Sequence, residues 1–558
     1  MSTADQVAHM KWWGWGVDGV AFNHENKPGF PPFLSMAIGV DVNEPATAPV
    51  TLDELDVPDS QAPADLLATL TTALGIDNVH TDRLDRVVHT YGKSVRDLIR
   101  LRANDLPRVP DVIVYPADED EVAAVVRAVV EADAVLIPFG GGSNISGSLQ
   151  PPAAETRPVV SLDMGRLDRL LDIDEGSGLA RIQAGALGPA IEAQLGARGW
   201  TMGHFPDSFT HSSLGGWIAT RSSGMQSDKY GDIADITRGL RVVMPSGTLV
   251  TRPVPSTSTG PSVREMILGS EGRLGVITEA TVQVHRIPAD REIIGYLYPT
   301  WESGLAAMHE ISESDAAPSV TRVSDAKETM FSFSTRKESS GVSGLATKGL
   351  EFYLGRKGWD LNSMCLSFVG YEGGGTHVTR QKTLVRSIVS KHGGIVVGKG
   401  PGVLYDQKKF DTPYIRDFLL DRGAVADVSE TAAPWSKLLP LYRATIANAE
   451  KAFADLGVKG WVMCHLSHSY HSGACLYFTF AFRHDGVNPI AQYEVVKSAI
   501  QQSFVDSGAT LSHHHAVGTE HSAWLEQDIS APGVAMIDGL FAAVDPGRNL
   551  NPGKIVSR

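Results

Sequence analysis

Three cysteines, Cys365, Cys464 and Cys475, are all that 558 residues contain. They offer neither a disulfide framework nor zinc spacing, and so few thiols fit a reducing compartment. Long hydrophobic runs are missing as well. Nothing approaches the ~18 consecutive apolar residues of a membrane span, and Met1 to Gln6 lacks the basic-then-apolar pattern of a secretory signal. Positive charge is scarce: 49 Lys and Arg against 64 Asp and Glu leave a net charge of -15. That balance excludes nucleic acid as a partner and simple electrostatic docking on anionic lipid. It leaves a cytoplasmic protein, with membrane contact restricted to peripheral insertion of a local apolar patch. Two glycine signatures are also absent. There is no G-x-G-x-x-G after a first strand and no G-x-x-x-x-G-K-[ST], so nicotinamide Rossmann and P-loop sites are excluded.

What is present is ordinary in bulk, 42% hydrophobic and 20% charged, and too long for one core, so two or more domains are expected. Residues 1–104 form an N-terminal segment, partly helical. Its one distinctive run is Lys11-Trp12-Trp13-Gly14-Trp15-Gly16, read as a packed anchor, and Leu66, Leu67, Leu70 and Leu74 fall at helical spacing. From Pro110 the pattern is α/β. Val112 to Tyr115 reads as a strand, and Asp118 to Val130 as an acid-capped helix with Val122, Val125, Val126, Val129 and Val130 on one side. Ala134 to Pro138 is the next strand. Strands then dominate at residues 159–164, 170–173, 179–184, 240–244 and 276–285, with a helix at 189–198. A boundary near residues 286–291 opens a second α/β region, and Lys337 to Lys348 reads as a flexible crossing. The expectation is a domain at residues 105–287, a cap at 288–525, and a return of 526–558 to the first domain.

Four segments between Pro138 and Ile277 are rich in glycine and small hydroxyls. They are Pro138-Phe139-Gly140-Gly141-Gly142-Ser143-Asn144; Asp207-Ser208 running on to Ser212-Ser213; Thr220-Arg221-Ser222-Ser223; and Glu271-Gly272-Arg273-Leu274-Gly275-Val276-Ile277. Singly each reads as a tight turn. Together they describe a long groove of bare backbone. The first follows a strand, where exposed N–H groups make a phosphate nest without basic side chains. An extended dinucleotide, FAD, is the expected ligand. The set resembles the FAD-binding domain of vanillyl-alcohol-oxidase type, which implies a two-subdomain α/β (α+β) flavin domain with an α/β cap. There the first turn takes the pyrophosphate and the later segments take the ribityl chain, adenosine and ring. No histidine or cysteine lies in Phe139 to Ser148, so nothing there indicates covalent attachment.

Two features mark the C-terminal half. Ser512-His513-His514-His515 places three imidazoles in a row, which reads equally as a solvated polar turn or as part of a site. Adjacent histidines rarely chelate one ion and no carboxylate stands at ligand spacing, so no metal is assigned. Gly473 to Phe482 is a β-prone run in which period 2 puts Tyr477 with Cys475 and Thr479, opposite Leu476, Phe478 and Phe480. Arg322 and Arg416 read as surface ion pairs or as receptors for a phosphate ester.

Over nearly its whole length the chain resembles the alkyldihydroxyacetonephosphate synthase (alkylglycerone-phosphate synthase) family. The resemblance is carried by Lys11 to Gly16, Pro206-Asp207-Ser208, Gly215 to Met225, Glu271-Gly272, Tyr414-Ile415-Arg416-Asp417, Glu430 to Trp435, Gly473-Ala474-Cys475 and Ser512 to His515. It implies an ether-lipid reaction without net redox change. Acyl-dihydroxyacetone phosphate loses its fatty acid, the flavin N5 holds the remaining carbon, and a long-chain alcohol enters. On this reading Tyr477 is the general acid/base, His513, His514 and His515 polarise the site, Arg416 binds phosphate and Arg322 supports the geometry. A homodimer is implied too. Two departures stand out: His465, where eukaryotic members carry arginine, and the absence of a peroxisomal address at Val556-Ser557-Arg558. An FAD-dependent oxidase or dehydrogenase of a 2-hydroxy acid or alcohol is the alternative.

Overall fold

A computed structural model describes residues 7–336, 353–408, 410 and 412–556. The expected crossing at Lys337 to Lys348 lies outside the described residues. Among the described residues three larger sheets organise the chain, two in the first half and one in the second, beside one two-stranded pair. The first has four strands in the order Val79–His80, Val112–Val114, Val159–Asp163, Val135–Phe139, the last three parallel to one another. Parallel strands need covered faces, and these are almost wholly buried runs of Val, Leu and Ile. Helix Glu119–Glu131 covers one face. Asp118 accepts the Glu121 N–H at its start, acids fill its first turn, and Val122, Val125, Val126 and Val129 are buried beneath it. Val130, expected on that same side, is exposed because it falls about a quarter-turn beyond the stripe.

The second sheet is antiparallel: Leu170–Asp174, Leu179–Gln183, Val276–Gln283, Thr237–Met244, Gly247–Val250. The strand read as reaching residue 285 stops at Gln283, and His285–Arg286 pairs instead with Trp200–Thr201. One apolar core joins both sheets.

The second half is a seven-stranded antiparallel sheet in the order Ile395–Gly398, Asp290–Tyr298, Cys365–Gly373, Val320–Ser324, Gly460–Ser469, Gly473–Arg483, Ala424–Pro434. Helices Trp301–Glu313, Gly375–Lys391, Trp435–Leu456 and Pro489–Asp506 bury one face of it. The alternation expected in Gly473–Arg483 is realised. Leu476, Phe478 and Phe480 enter that helical core, while Tyr477 and Thr479 line a cavity on the other face. Phe480 reaches that cavity as well, and Cys475 is buried short of it. The chain then returns to the first sheet. The Leu136 N–H donates to Asn549 O at 2.7 Å, and the Asn551 N–H donates to Leu136 O at 2.8 Å. Among the described residues no helix is long and apolar enough to cross a membrane.

Candidate active site

One cavity of about 1640 Å³ runs from the glycine turns to the face of the seven-stranded sheet and on between apolar side chains. At its first end Gly140, Gly141, Gly142, Ser143 and Asn144 line the wall. Among the described residues none of these five N–H groups donates to a protein acceptor. The turn is held from behind: Lys93 N–H donates to Asn144 O at 2.6 Å, and the Asn144 Oδ1 accepts the N–H groups of Ser146 and Ser148. A string of unpaired N–H groups facing a cavity is an anion nest, and it fits the pyrophosphate of FAD. Asp207, Ser208, Ser212, Ser213, Thr220, Ser222, Ser223, Glu271, Gly272, Gly275, Val276 and Ile277 continue the same wall.

Three residues named in those segments do not line it. Arg273 is buried and donates to Lys554 O at 2.9 Å. Leu274 is 2% exposed in the core. Arg221 sits in the left-handed region at φ 54° and reaches away to Glu265 at 3.2 Å.

At the sheet, register builds a polar row. Tyr477 is paired with Glu430 on one neighbouring strand and with His465 on the other, and His465 with Ser324 beyond. A bulge at Ser467 follows, so His468 pairs with Cys475. The extra residue brings His468 to the cavity face that His465 already occupies. The His465 ring stacks on Tyr477 with centroids 4.8 Å apart. Its Nδ1 is 2.8 Å from the Glu328 carboxylate, which also takes the Arg322 guanidinium at 2.6 Å. Burial alone would raise the Glu328 carboxyl, but His465 and Arg322 outweigh it and hold the group at about 2. Burial, with the carboxylates of Asp207 and Glu430, pushes the Tyr477 phenol well above its ordinary value. Tyr477 therefore carries its proton at neutral pH.

The three histidines form a loop clamped by two buried carboxylates. Glu430 accepts the N–H groups of His513 at 2.6 Å, His514 at 3.1 Å and His515 at 3.0 Å, and the Ser512 hydroxyl at 2.7 Å. Glu271, from the glycine wall, accepts the N–H groups of Val517 and Gly518, each at 3.0 Å. The rings then face Tyr477: His514 stacked at 6.0 Å and His515 edge-on at 5.5 Å. His513 does not line the cavity. It turns back to the Tyr470 hydroxyl at 2.6 Å, which donates to Asp232 at 2.8 Å. Burial lowers His514 to about 3 and His515 to about 4, so both are neutral. Ligand atoms of Glu430, Cys475, His513 and His514 lie within 4.8 Å of one another. Glu430 Oε1 accepts three of the loop's donors and Oε2 one, so the carboxylate has a role in holding the loop.

Arg416 lines the cavity from the short helix Tyr414–Leu420, and its buried Nε and Nη2 have no hydrogen-bond partner among the described residues. The tryptophan run supports that helix. Asp417 accepts the Trp15 N–H at 2.9 Å with Lys11 Nζ 3.7 Å away, and Gly16, at φ 76°, lies where a Cβ would meet the Tyr414 hydroxyl at 2.5 Å. Beyond Tyr477 the cavity becomes apolar, lined by Phe30, Phe33 and Leu34 of helix Phe30–Ile38 and by Phe331, Leu366 and Trp461. Sequence reasoning placed neither helix Phe30–Ile38 nor His465, His468 and Glu328 in the site. Only sheet register and packing bring them there.

Comparison with known proteins agrees with this geometry. An FAD binding domain model matches residues 110–252, and the C-terminal domain of FAD linked oxidases matches residues 287–555. The alkyldihydroxyacetonephosphate synthase of Dictyostelium discoideum is 37% identical, over 99% of this chain and 94% of its own. That of Trypanosoma brucei brucei is 33% identical, over 99% and 93%. A solved alkyldihydroxyacetonephosphate synthase structure superimposes with a TM-score of 0.86 at 34% identity, covering 98% of this chain and 99% of that one. A 4-ethylphenol oxidase from Gulosibacter chungangensis, 13% identical with a TM-score of 0.66 over 90% and 99%, shares the fold alone. The chain carries an FAD-binding domain and belongs to the alkyldihydroxyacetonephosphate synthase family of flavoproteins.

Proposed function

We propose that this protein exchanges the fatty acid of acyl-dihydroxyacetone phosphate for a long-chain alcohol, an FAD-dependent alkyl transfer. The carrying observation is a single cavity that joins the nest of free N–H groups, a protonated Tyr477 among neutral histidines, an unpartnered buried guanidinium and an apolar arm. Each part suits one part of the reactants. Gly140 to Asn144 would hold the pyrophosphate, and the cofactor is bound without a covalent link. FAD, when bound, supplies a ring that shares electrons with the substrate carbon and returns them, so the exchange needs no outside oxidant. Arg416 lines the cavity and keeps Nε and Nη2 unsatisfied among the described residues, and a guanidinium is the side chain that pairs with a phosphate ester. Phe30, Phe33 and Trp461 shelter an alkyl or acyl chain. Tyr477, with its phenol proton in place, is the acid that moves a proton at the substrate carbon. His514 and His515 orient it, and Arg322 holds Glu328.

The test is incubation of the yellow protein with palmitoyl-dihydroxyacetone phosphate and labelled hexadecanol. Labelled ether product formed without an electron acceptor supports the exchange. Bleaching of the flavin by a 2-hydroxy acid or alcohol, with no ether formed, would move the protein to the oxidoreductases.

A further inference from the structure

The exchange proposed above has two proton tasks, and Tyr477 accounts for one. A long-chain alcohol must also lose its O–H proton as its oxygen bonds to carbon. A phenol that keeps its own proton is poorly placed to take another.

Strand Gly460–Ser469 shows where that acceptor stands. Its alternate residues Trp461, Met463 and His465 all line the cavity, so the wall changes from apolar to basic at His465. The facing helix Ala326–Ser334 does the same in reverse, with Glu328 beside His465 and Phe331 and Phe333 on the apolar arm. His465 thus stands where the chain channel ends and the chemistry begins. Its tautomer is fixed by geometry. Nδ1 lies 2.8 Å from Glu328 Oε2 and 3.1 Å from Arg322 Nη2, which donates to Glu328 Oε1 at 2.6 Å; the ionised carboxylate only accepts, so the shorter contact assigns the hydrogen to Nδ1. Nε2, with its lone pair, has no hydrogen-bond partner among the described residues, and the ring is stacked against Tyr477 at the cavity wall. Of the other cavity imidazoles, His515 also sets Nδ1 toward a carboxylate, Glu430 at 3.4 Å, but at longer range than the 2.8 Å of His465 and toward an oxygen already engaged by the loop's N–H groups. Nδ1 of His514 faces Nδ1 of His513 at 2.9 Å, and Nδ1 of His468 meets the Ser227 hydroxyl at 2.8 Å.

We infer that His465, oriented by Glu328, is the base that accepts the proton of the incoming alcohol. The inference rests on the exchange reaction proposed above. In the step, the alcohol O–H bond breaks and its proton passes to Nε2 while the oxygen forms the bond to the substrate carbon. The fatty acid has left that carbon with the bonding pair, as a carboxylate. The imidazolium formed faces Glu328 and then releases the proton to solvent, so the sum is ester and alcohol in, ether and fatty acid out. The charges facing the ring are Glu328, Asp207 and Arg322; burial together with Arg322 lowers its pKa, which keeps the free imidazole neutral and ready to accept.

The experiment compares FAD-loaded wild type, His465→Ala and His465→Gln, following labelled fatty acid released and labelled hexadecanol incorporated in one reaction. The expected result is a fall of about a hundred-fold in the ratio of ether formed to fatty acid released, within the range for removing a general base. Added imidazole should restore the ratio in His465→Ala and not in His465→Gln, where the pocket stays filled. An unchanged ratio in either variant, or an equal loss of both products with no rescue, overturns the assignment and leaves the exchange standing. A wild type that forms no ether overturns the exchange itself.

Discussion

At the scale of single residues, Tyr477 illustrates how position confers chemistry. It stands in a strand whose neighbours point alternately into a packed core and into the cavity, and burial keeps its proton on. Replacing it by phenylalanine removes only the hydroxyl, so Tyr477→Phe should lower turnover about 10²- to 10⁴-fold, the usual contribution of a positioned acid or base, while flavin absorbance persists. Full turnover in that protein would end the assignment. The histidines make a second prediction, about pH. His514 and His515 titrate at about 3 and about 4 when folded, because burial disfavours the imidazolium. Exposed histidine titrates near ~6.5. Between those values the unfolded chain binds protons that the folded chain refuses, so stability falls as pH drops below about 6.5. Glu430 is held well below its ordinary value by the neighbouring histidines against the opposing effect of burial, so it adds a further loss below about 4.5. The melting temperature should therefore decline from pH 7 to pH 4.5, and less steeply in His515→Gln. A flat wild-type profile over that range would contradict the argument.

At the scale of elements, the glycine turn and the bulged strand behave in opposite ways. In the turn, a Cβ on Gly141 would stand 1.9 Å from the His211 carbonyl oxygen and 3.0 Å from Ser212 Cα, both backbone atoms that yield only if the wall moves. Overpacking of this kind costs about 1–3 kcal/mol. Gly141→Ala should thus weaken FAD retention about tenfold or more, read as colour lost on desalting. A protein as yellow as wild type would show that the turn does not set the nest. This part of the site was legible in the sequence, since three glycines after a strand already say that backbone must come close. The alternation of Gly473–Arg483 was legible for a related reason: one face meets helices and the other a cavity, so the two faces differ in composition. The rest depends on what lies across the sheet. His465 enters the site because antiparallel register sets it beside Tyr477, and His468 joins it only because Ser467 is an extra residue in its strand. No periodicity in residues 460–469 reveals either fact. Arg221 and Leu274 fail the other way, because a turn that lines a wall still sends alternate side chains away from it.

At the scale of the whole molecule, the halves are fastened through the site rather than beside it. Glu271 belongs to the flavin wall and holds Val517 and Gly518, Glu430 belongs to the large sheet and holds the same loop, and the tryptophan run of the N-terminal segment braces the arginine helix. The last residues do more. Asn551 lines the cavity and donates to Ser148 O at 2.9 Å and Glu271 O at 2.7 Å, and Lys554 is fully buried beside them. Ending the chain after Asp545 should therefore yield a colourless protein, although Gly140 lies some four hundred residues earlier. Flavin retained by that truncated chain would disprove the dependence.

The same return of Asn549 to Asn551 along Leu136 has a consequence for synthesis. A ribosome delivers the chain from its N-terminus, so the turn Gly140 to Asn144 emerges about four hundred residues before Asn549 to Asn551, which pair with the strand leading into it. Until Asn549 to Asn551 have been made, the growing polypeptide lacks the backbone that pairs with Leu136 and the side chain that completes this wall of the cavity.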